Sequence, residues 1–346
     1  MTRPHAILLG LGALAVAAAA ALLYPGVSPA PEKTASQTET LRCLVAASEE
    51  SASPHPGMVW IPGGTLKPGD TVYPEEGPFE TVEVMGFWMD RHEVTNAEFA
   101  QFVEATGYVT RAERKADPAA HPGMPQDMLA PGAAVFVMPE MVENGNIAQW
   151  WRYIEGANWR HPGGPGTSIE NRGHFPVVAL AYDDVAAYAR WKGRALPSEA
   201  QWEWAARGGR ASTPDHQQPK EANTWQGVFP VMNTQEDGFA GVAPVGCFQP
   251  NDFGLYDMVG NVWEWTSDLF RADRFGQAGG GPDNPSASLG RASASLPRHV
   301  IKGGSFLCAP NYCMRYRPGS RQPQDADLGS SHLGFRTILI APPPNS

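Results

Sequence analysis

The sequence predicts an α+β fold: one irregular, loop-rich domain with few helices and short strands. Three observations predict it. The 37 glycines and 33 prolines are together about a fifth of the 346 residues, above the usual share. Both residue types break regular elements. Helix signals are confined to a few segments, strand-like runs are short, and no 40-residue repeat is visible.

From the N-terminus, residues 6–23 are uncharged and apolar, and Arg3 precedes them. Residues 1–30 therefore read as an export signal or an uncleaved membrane anchor. Ser28-Pro29-Ala30 offers small residues for cleavage, Pro31 opposes it, and no cysteine stands where a lipoprotein signal needs one. Either reading places the protein outside the cytoplasm, in a periplasm or the extracellular space. Residues 31–54, rich in Pro, Ser, Thr, Ala and Glu, read as a linker that contains Cys43. Residues 55–342 have globular composition without a second linker, and are assigned to one domain.

Within the domain, Thr95-Asn-Ala-Glu98 is a capping box ahead of the apolar face Phe99, Phe102 and Val103, with Gly107 to end the helix. Asp183 or Asp184 is expected to cap a second helix that carries Val185, Ala189 and Trp191 and stops at Gly193. Ser198-Glu-Ala-Gln201 is another capping box, leading into Trp202 and Trp204-Ala-Ala206. Strand-like runs are Thr81–Val84, Ala243–Val245, His299–Ile301 and Phe335–Ile340.

The formal charge of −10 excludes the basic footprint that binds a polyanion, so nucleic acid is not an expected partner. Clustered acids and amides suit calcium, which takes oxygen ligands.

Of the four cysteines, Cys308 and Cys313 are spaced C-x4-C, behind Gly303-Gly304 and around the turn pair Pro310-Asn311. Such a turn can bring two sulfurs together. Two thiolates make a soft, low-coordinate site suited to Cu(I). Zinc normally takes four ligands, and no second Cys or His pair stands nearby. In an oxidising compartment the same spacing, taken alone, favours a disulfide. Spacing alone leaves a disulfide, a metal or catalytic pair, and two free thiols open.

A wider set of residues resembles the formylglycine-generating-enzyme family. The set includes Lys302-Gly-Gly-Ser305-Phe-Leu-Cys308, Asn311-Tyr-Cys313-Met-Arg-Tyr-Arg317 and Leu333-Gly-Phe-Arg336. Upstream it includes Glu93-Val-Thr-Asn96, Gly156-Ala-Asn-Trp-Arg-His-Pro162, Ala195-Leu-Pro-Ser-Glu-Ala-Gln-Trp-Glu203 and Gly254-Leu-Tyr-Asp-Met-Val-Gly-Asn-Val-Trp-Glu-Trp265. Residues 57–340 are covered, and the Gly-Asn-x-Trp-Glu-Trp, Gly-Gly-Ser and Gly-Phe-Arg motifs are shared with relatives that are not oxidases. The resemblance implies a loop-rich fold related to C-type lectins. The cysteine pair on the Gly-Gly-Ser strand is the feature that separates oxidases from other bearers of the fold.

What the resemblance implies about chemistry is specific. Cys308 and Cys313 would hold Cu(I), and a client peptide containing Cys-x-Pro-x-Arg, typically in a sulfatase, would add its thiolate. With O2 the client β-carbon would lose hydrogen, and the thioaldehyde would hydrolyse to formylglycine. Ser305 matches an active-site serine and Trp263 a tryptophan near the oxygen pocket. A first calcium would take the side chains of Asn223 and Asp237 with the carbonyls of Thr224 and Phe239. A second would take Asp257 with the carbonyls of Met258, Gly260 and Val262.

The chain also departs from the family. Ala189 and Pro318 stand where animal-type members carry extra cysteine bridges. Cys43 and Cys247 could pair with each other instead. His332 stands where many relatives have Asn, which bears on client contacts. The rival function is an exported, non-oxidase binding or maturation factor of the same fold, with Cys308–Cys313 a disulfide. An iron-dependent sulfoxide synthase would need an additional histidine-rich helical domain, for which the chain has no room.

Overall fold

The computed structural model describes residues 43, 53–77, 79–119, 124–143, 149–210, 216–271 and 297–344. The apolar segment 6–23 and most of the 31–54 linker lie outside them. In chain order the elements are β1 (Met58–Ile61), β2 (Gly64–Leu66), β3 (Val82–Val84), β4 (Phe87–Asp90), α1 (Asn96–Thr106), β5 (Gly132–Phe136) and β6 (Trp151–Glu155). They continue with α2 (Tyr182–Trp191), α3 (Glu199–Ala206), β7 (Gly227–Val228), β8 (Met232–Asn233), β9 (Trp263–Leu269), β10 (Arg298–Lys302), β11 (Gln322–Asp325), β12 (Leu333–Gly334) and β13 (Ile338–Leu339). All described residues fall in one compact unit, Ala35–Ser346. No helix among them is long and apolar enough to cross a membrane.

The helices form where the capping chemistry places them. Thr95 Oγ1 accepts the Glu98 N–H at 3.3 Å while the Glu98 carboxylate accepts the Thr95 N–H at 2.9 Å. Gly107 closes α1 with φ +64°. Ser198 and Gln201 make the same reciprocal box at α3. At α2 the expectation needs correction: the N-cap is Ala181, which has no side-chain acceptor. Asp184, one turn in, instead takes the Ala181 N–H at 2.9 Å, the Arg111 N–H at 2.9 Å and the Tyr108 hydroxyl at 3.0 Å. Burial pushes this carboxyl up to about 6.

The strands assemble into a sheet ordered β1-β4-β13, a second ordered β11-β10-β9-β12, and three two-stranded ribbons. Within the second sheet β12 runs parallel to β9, and the other pairs are antiparallel. Of the expected strands, Ala243–Val245 is not one. Its N–H groups bond the Asn261 side chain and the His174 carbonyl instead of a ladder. The run Phe335–Ile340 is strand only at Ile338–Leu339. The chain passes from one sheet to the other through Phe335–Thr337, and Val94 and Asp90 N–H groups take the carbonyls of Phe335 and Thr337.

Helices α1 and α2 pack an aromatic face (Phe99, Phe102, Tyr188) on Trp263, Trp265, Leu333 and Phe335, and Cys308 and Cys313 belong to this same core. Helix α3 joins the sheets: Trp202 and Trp204 share a core with Phe87, Met89 and Ile338 of the first, while on the second Trp202 Nε1 donates to Glu264 Oε2 at 2.8 Å and Lys302 Nζ donates to Glu203 Oε2 at 3.0 Å. Cys43 and Cys247 form a disulfide, so this point of the linker is tied to the domain.

Candidate active site

Two glycines let β10 deliver the cysteine segment to the core. Gly303 has φ +98° and Gly304 φ +74°, a region that side chains rarely adopt. A Cβ on Gly304 would also lie 2.8 Å from the Arg315 carbonyl oxygen. Gly304→Ala is therefore expected to cost about 2–3 kcal/mol, read from the shift of a urea-unfolding midpoint.

Beyond the glycines, Ser305 O accepts the Cys308 N–H at 2.9 Å, and Ala309 O accepts the N–H groups of Tyr312 at 3.1 Å and Cys313 at 2.9 Å. The turn folds the two sulfurs to 2.6 Å of each other. Both residues are 1% exposed and free of any disulfide. The following segment is clamped by buried ion pairs. Arg315 bonds Glu75 at 2.5 Å, and Arg317 bonds Asp70 and, at 2.6 Å, Glu76. Arg321 bonds Glu199 at 2.7 Å.

The pair opens on a small pocket lined by Trp263, Ser305, Trp151, Phe229, Tyr312 and His332. Thus all four predicted catalytic residues, Cys308, Cys313, Ser305 and Trp263, share one pocket. Burial and then the two cysteines push the Tyr316 phenol up to about 12, so it stays protonated. A separate apolar groove, which Met141, Val142, Trp150 and Val228 help to line, runs up to the pocket and shares Phe229 and Tyr312 with it.

Two wall residues, Trp151 and Phe229, carry no motif and were not anticipated. The β5–β6 hairpin places the first. Phe136 pairs with Trp151, and the β5 residue Ala134 exchanges bonds with Gly329 and Ser331, just before His332. Trp151 and His332 then meet edge to face at 4.7 Å.

The residues proposed for calcium form two neighbouring loop clusters. In the first, the Asp237 carboxylate accepts the N–H groups of Thr224 at 3.2 Å and Phe239 at 3.0 Å. Asn223 is bonded to Asn261 at 3.0 Å and to the Gly241 carbonyl at 2.9 Å. In the second, Asp257 has φ +55° and accepts the Gly246 N–H at 2.6 Å. Met258, Gly260 and Val262 follow it along the same loop, and the Gly260 N–H bonds the Gly303 carbonyl at 2.9 Å.

Two carboxylates that the sequence reading did not place belong with this second cluster. Burial, then the Asp257 charge, raises Glu93 well above the usual carboxylate range. Its Oε2 has no hydrogen-bond partner among the described residues. Glu264 is paired with Arg336 at 2.7 Å. Arg336 balances the Glu264 charge, and burial makes Glu93 and Asp257 hold their protons more tightly than ordinary carboxyls.

The family model described as the sulfatase-modifying factor enzyme 1-like domain matches residues 45–341. The chain belongs to the formylglycine-generating-enzyme family. The formylglycine-generating enzyme of Mycobacterium tuberculosis is 48% identical over 293 residues, covering 81% of this chain and 97% of that protein. A bovine relative named inactive C-alpha-formylglycine-generating enzyme 2 is 36% identical, covering 81% and 86%. PvdO from Pseudomonas aeruginosa has the same fold, with a TM-score of 0.52 at 24% identity over 81% of this chain and 93% of that one. Relatives named for the activity reach 48% identity, against 36% for the inactive bovine one, and the chain is an enzyme of the formylglycine-generating type.

Proposed function

We propose that this enzyme oxidises a cysteine of an exported client, a sulfatase bearing Cys-x-Pro-x-Arg, to formylglycine with O2, using Cu(I) on Cys308 and Cys313. The observation that carries the reading is a pair of buried, unbridged cysteines side by side at the floor of an apolar pocket. Two soft sulfur donors without a third cysteine match the preference of Cu(I). When bound, the ion supplies a centre with affinity for both thiolate and O2. The protein's own residues do the rest. Trp263, Phe229 and Leu307 keep bulk water from the pair, and Ser305 Oγ and His332 provide polar atoms at its edge. The groove beside Phe229 and Tyr312 gives an extended client segment a path to the sulfurs.

A separation of 2.6 Å is longer than a disulfide bond of about 2.05 Å. The sulfurs can close into that bond in air, so the protein is kept reduced for metal loading. Anaerobic titration of reduced protein with Cu(I) against a chromophoric chelator is expected to give one ion per chain, and none after Cys308→Ser. Equal binding by both proteins would rule the site out.

Calcium is proposed for the two loop clusters, held by Asn223, Asp237 and the carbonyls of Thr224 and Phe239, and by Asp257 and the carbonyls of Met258, Gly260 and Val262. One carboxylate with carbonyl oxygens at each site, joined by the Asn223 amide oxygen at the first, is sound calcium chemistry. Burial raises Asp257 from the usual 3.8 to about 6. Protonation of Asp257 thus favours the folded chain at low pH, a contribution lost as pH rises through about 6, where a cation takes the proton's place. The gain in melting temperature on adding calcium should be full near neutral pH and lost as pH falls through about 6. A gain independent of pH across that range would contradict the assignment. Export is proposed from residues 1–30, with residues 6–23 as cleaved signal or anchor, and cell fractionation tests it.

A further inference from the structure

Immediately after Cys313, both backbone groups of Met314 are held from outside the cysteine turn. The Met314 N–H donates to Tyr73 Oη at 3.1 Å, and the Met314 carbonyl accepts from Arg317 Nε at 2.6 Å. Tyr73 stands 241 positions earlier, in the connection between β2 and β3. It is not among the residues that line the pocket.

These contacts close a circuit. The Arg317 guanidinium bonds both Glu76 oxygens, at 2.6 and 2.8 Å, and Glu76 Oε2 accepts the Tyr73 N–H at 3.2 Å. The Tyr73 carbonyl accepts the Glu76 N–H at 3.0 Å, which closes the turn at Pro74–Glu76. Arg315 lies over the Tyr73 ring at 4.1 Å and pairs with Glu75 at 2.5 Å. Glu75, Glu76, Arg315 and Arg317 are all buried, so each of these contacts is costly to leave unmade. The turn and the cation over its ring thus hold Tyr73 with its hydroxyl oxygen against the amide next to Cys313.

The two cysteines are anchored differently. Cys308 gives its N–H to the Ser305 carbonyl at 2.9 Å, and its own carbonyl accepts the Trp225 N–H at 3.0 Å. Cys313 has the Ala309 carbonyl for its N–H, and beyond it the chain is fixed only where Met314 meets Tyr73 and Arg317. We propose that Tyr73 is a positioning residue: its hydroxyl fixes the backbone at Met314 and so holds Cys313 Sγ against Cys308 Sγ. The inference rests on the reading of the pair as the working thiols and adds what keeps them together.

The test reads how closely the protein holds the two sulfurs, through their thiol–disulfide equilibrium. Full-length, copper-free protein is equilibrated without O2 in mixtures of reduced and oxidised glutathione. Closing the pair moves two electrons to glutathione disulfide: one S–S bond forms between Cys308 and Cys313, one breaks, and two glutathione thiols take up the protons. Alkylation and mass spectrometry of the cysteine peptides give the equilibrium constant. Tyr73→Phe keeps the ring under Arg315 and removes the acceptor for the Met314 N–H. It should lower the constant about tenfold, or about 30 mV for this two-electron couple. The Cys43–Cys247 bridge is an internal control and should show the same oxidised fraction in both proteins. An unchanged or larger constant for the Cys308/Cys313 pair in Tyr73→Phe would overturn the proposal. So would an equal shift at both pairs, which would report a general loosening of the fold. Neither copper nor client is present, so failure here is separate from failure of the oxidase reading.

Discussion

Serine in place of Cys313 is expected to lower client oxidation by more than about a thousandfold while the chain stays folded. The sulfur sits 2.6 Å from its partner at the pocket floor, and an alcohol offers a soft ion far less than a thiolate. The structural cost is that of one buried hydroxyl, about 1–3 kcal/mol, visible as a modest fall in melting temperature. Cys308→Ser should do the same. The double variant should lose no more activity than either single one, because the two sulfurs act as a unit. Retained turnover in either single variant would separate the pair from the chemistry.

Arg336→Met should be the most damaging single change to stability, at about 3–5 kcal/mol. The guanidinium is fully buried and meets Glu264 through contacts of 2.7, 2.8 and 3.0 Å, with the Tyr256 carbonyl on the same side at 3.0 Å. It is also the cation that faces Glu93 and Asp257. Methionine fills similar volume but leaves those carboxylates without compensation. Adding Glu264→Gln should recover part of the loss, since breaking a buried pair costs more than removing both partners. Urea denaturation of the three proteins measures this. A single-variant loss below about 1 kcal/mol would show that water or another cation screens the cluster.

How much of this was legible in the sequence depended on range. Helices α1 and α3 could be placed because their capping boxes are local, complete within four residues. The cap of α2 was placed one turn too deep because Asp184 does a cap's work from inside the helix. Most strands lie outside the strand-like runs, β1, β4 and β9 among them. Phe87–Asp90 is buried at every position, so it shows no alternation for a reader to detect.

The same distinction governs the site. Cys308, Ser305 and Cys313 lie on one short segment, where the C-x4-C spacing marks the pair and the family resemblance marks Ser305 and the chemistry. Trp151 reaches them only through the β5–β6 hairpin, and Phe229 only through the turn before β8, so neither had a sequence signal. His332 stood out as a substitution, but its bond to Ser305 and its open Nε2 needed the fold. Asp257 was read from a motif, while Glu93 joins it from the distant segment between β4 and α1. The Cys43–Cys247 bridge was an open pairing in the sequence and is closed in the structure.

The central claim is that the buried cysteine pair oxidises a client cysteine. Its most direct test is mass spectrometry of a Cys-x-Pro-x-Arg peptide after incubation, in air, with reduced and copper-loaded protein. The account predicts an aldehyde in place of the peptide thiol, dependent on copper and absent with Cys313→Ser. An unchanged peptide thiol under those conditions, or an aldehyde formed equally by Cys313→Ser, would contradict it.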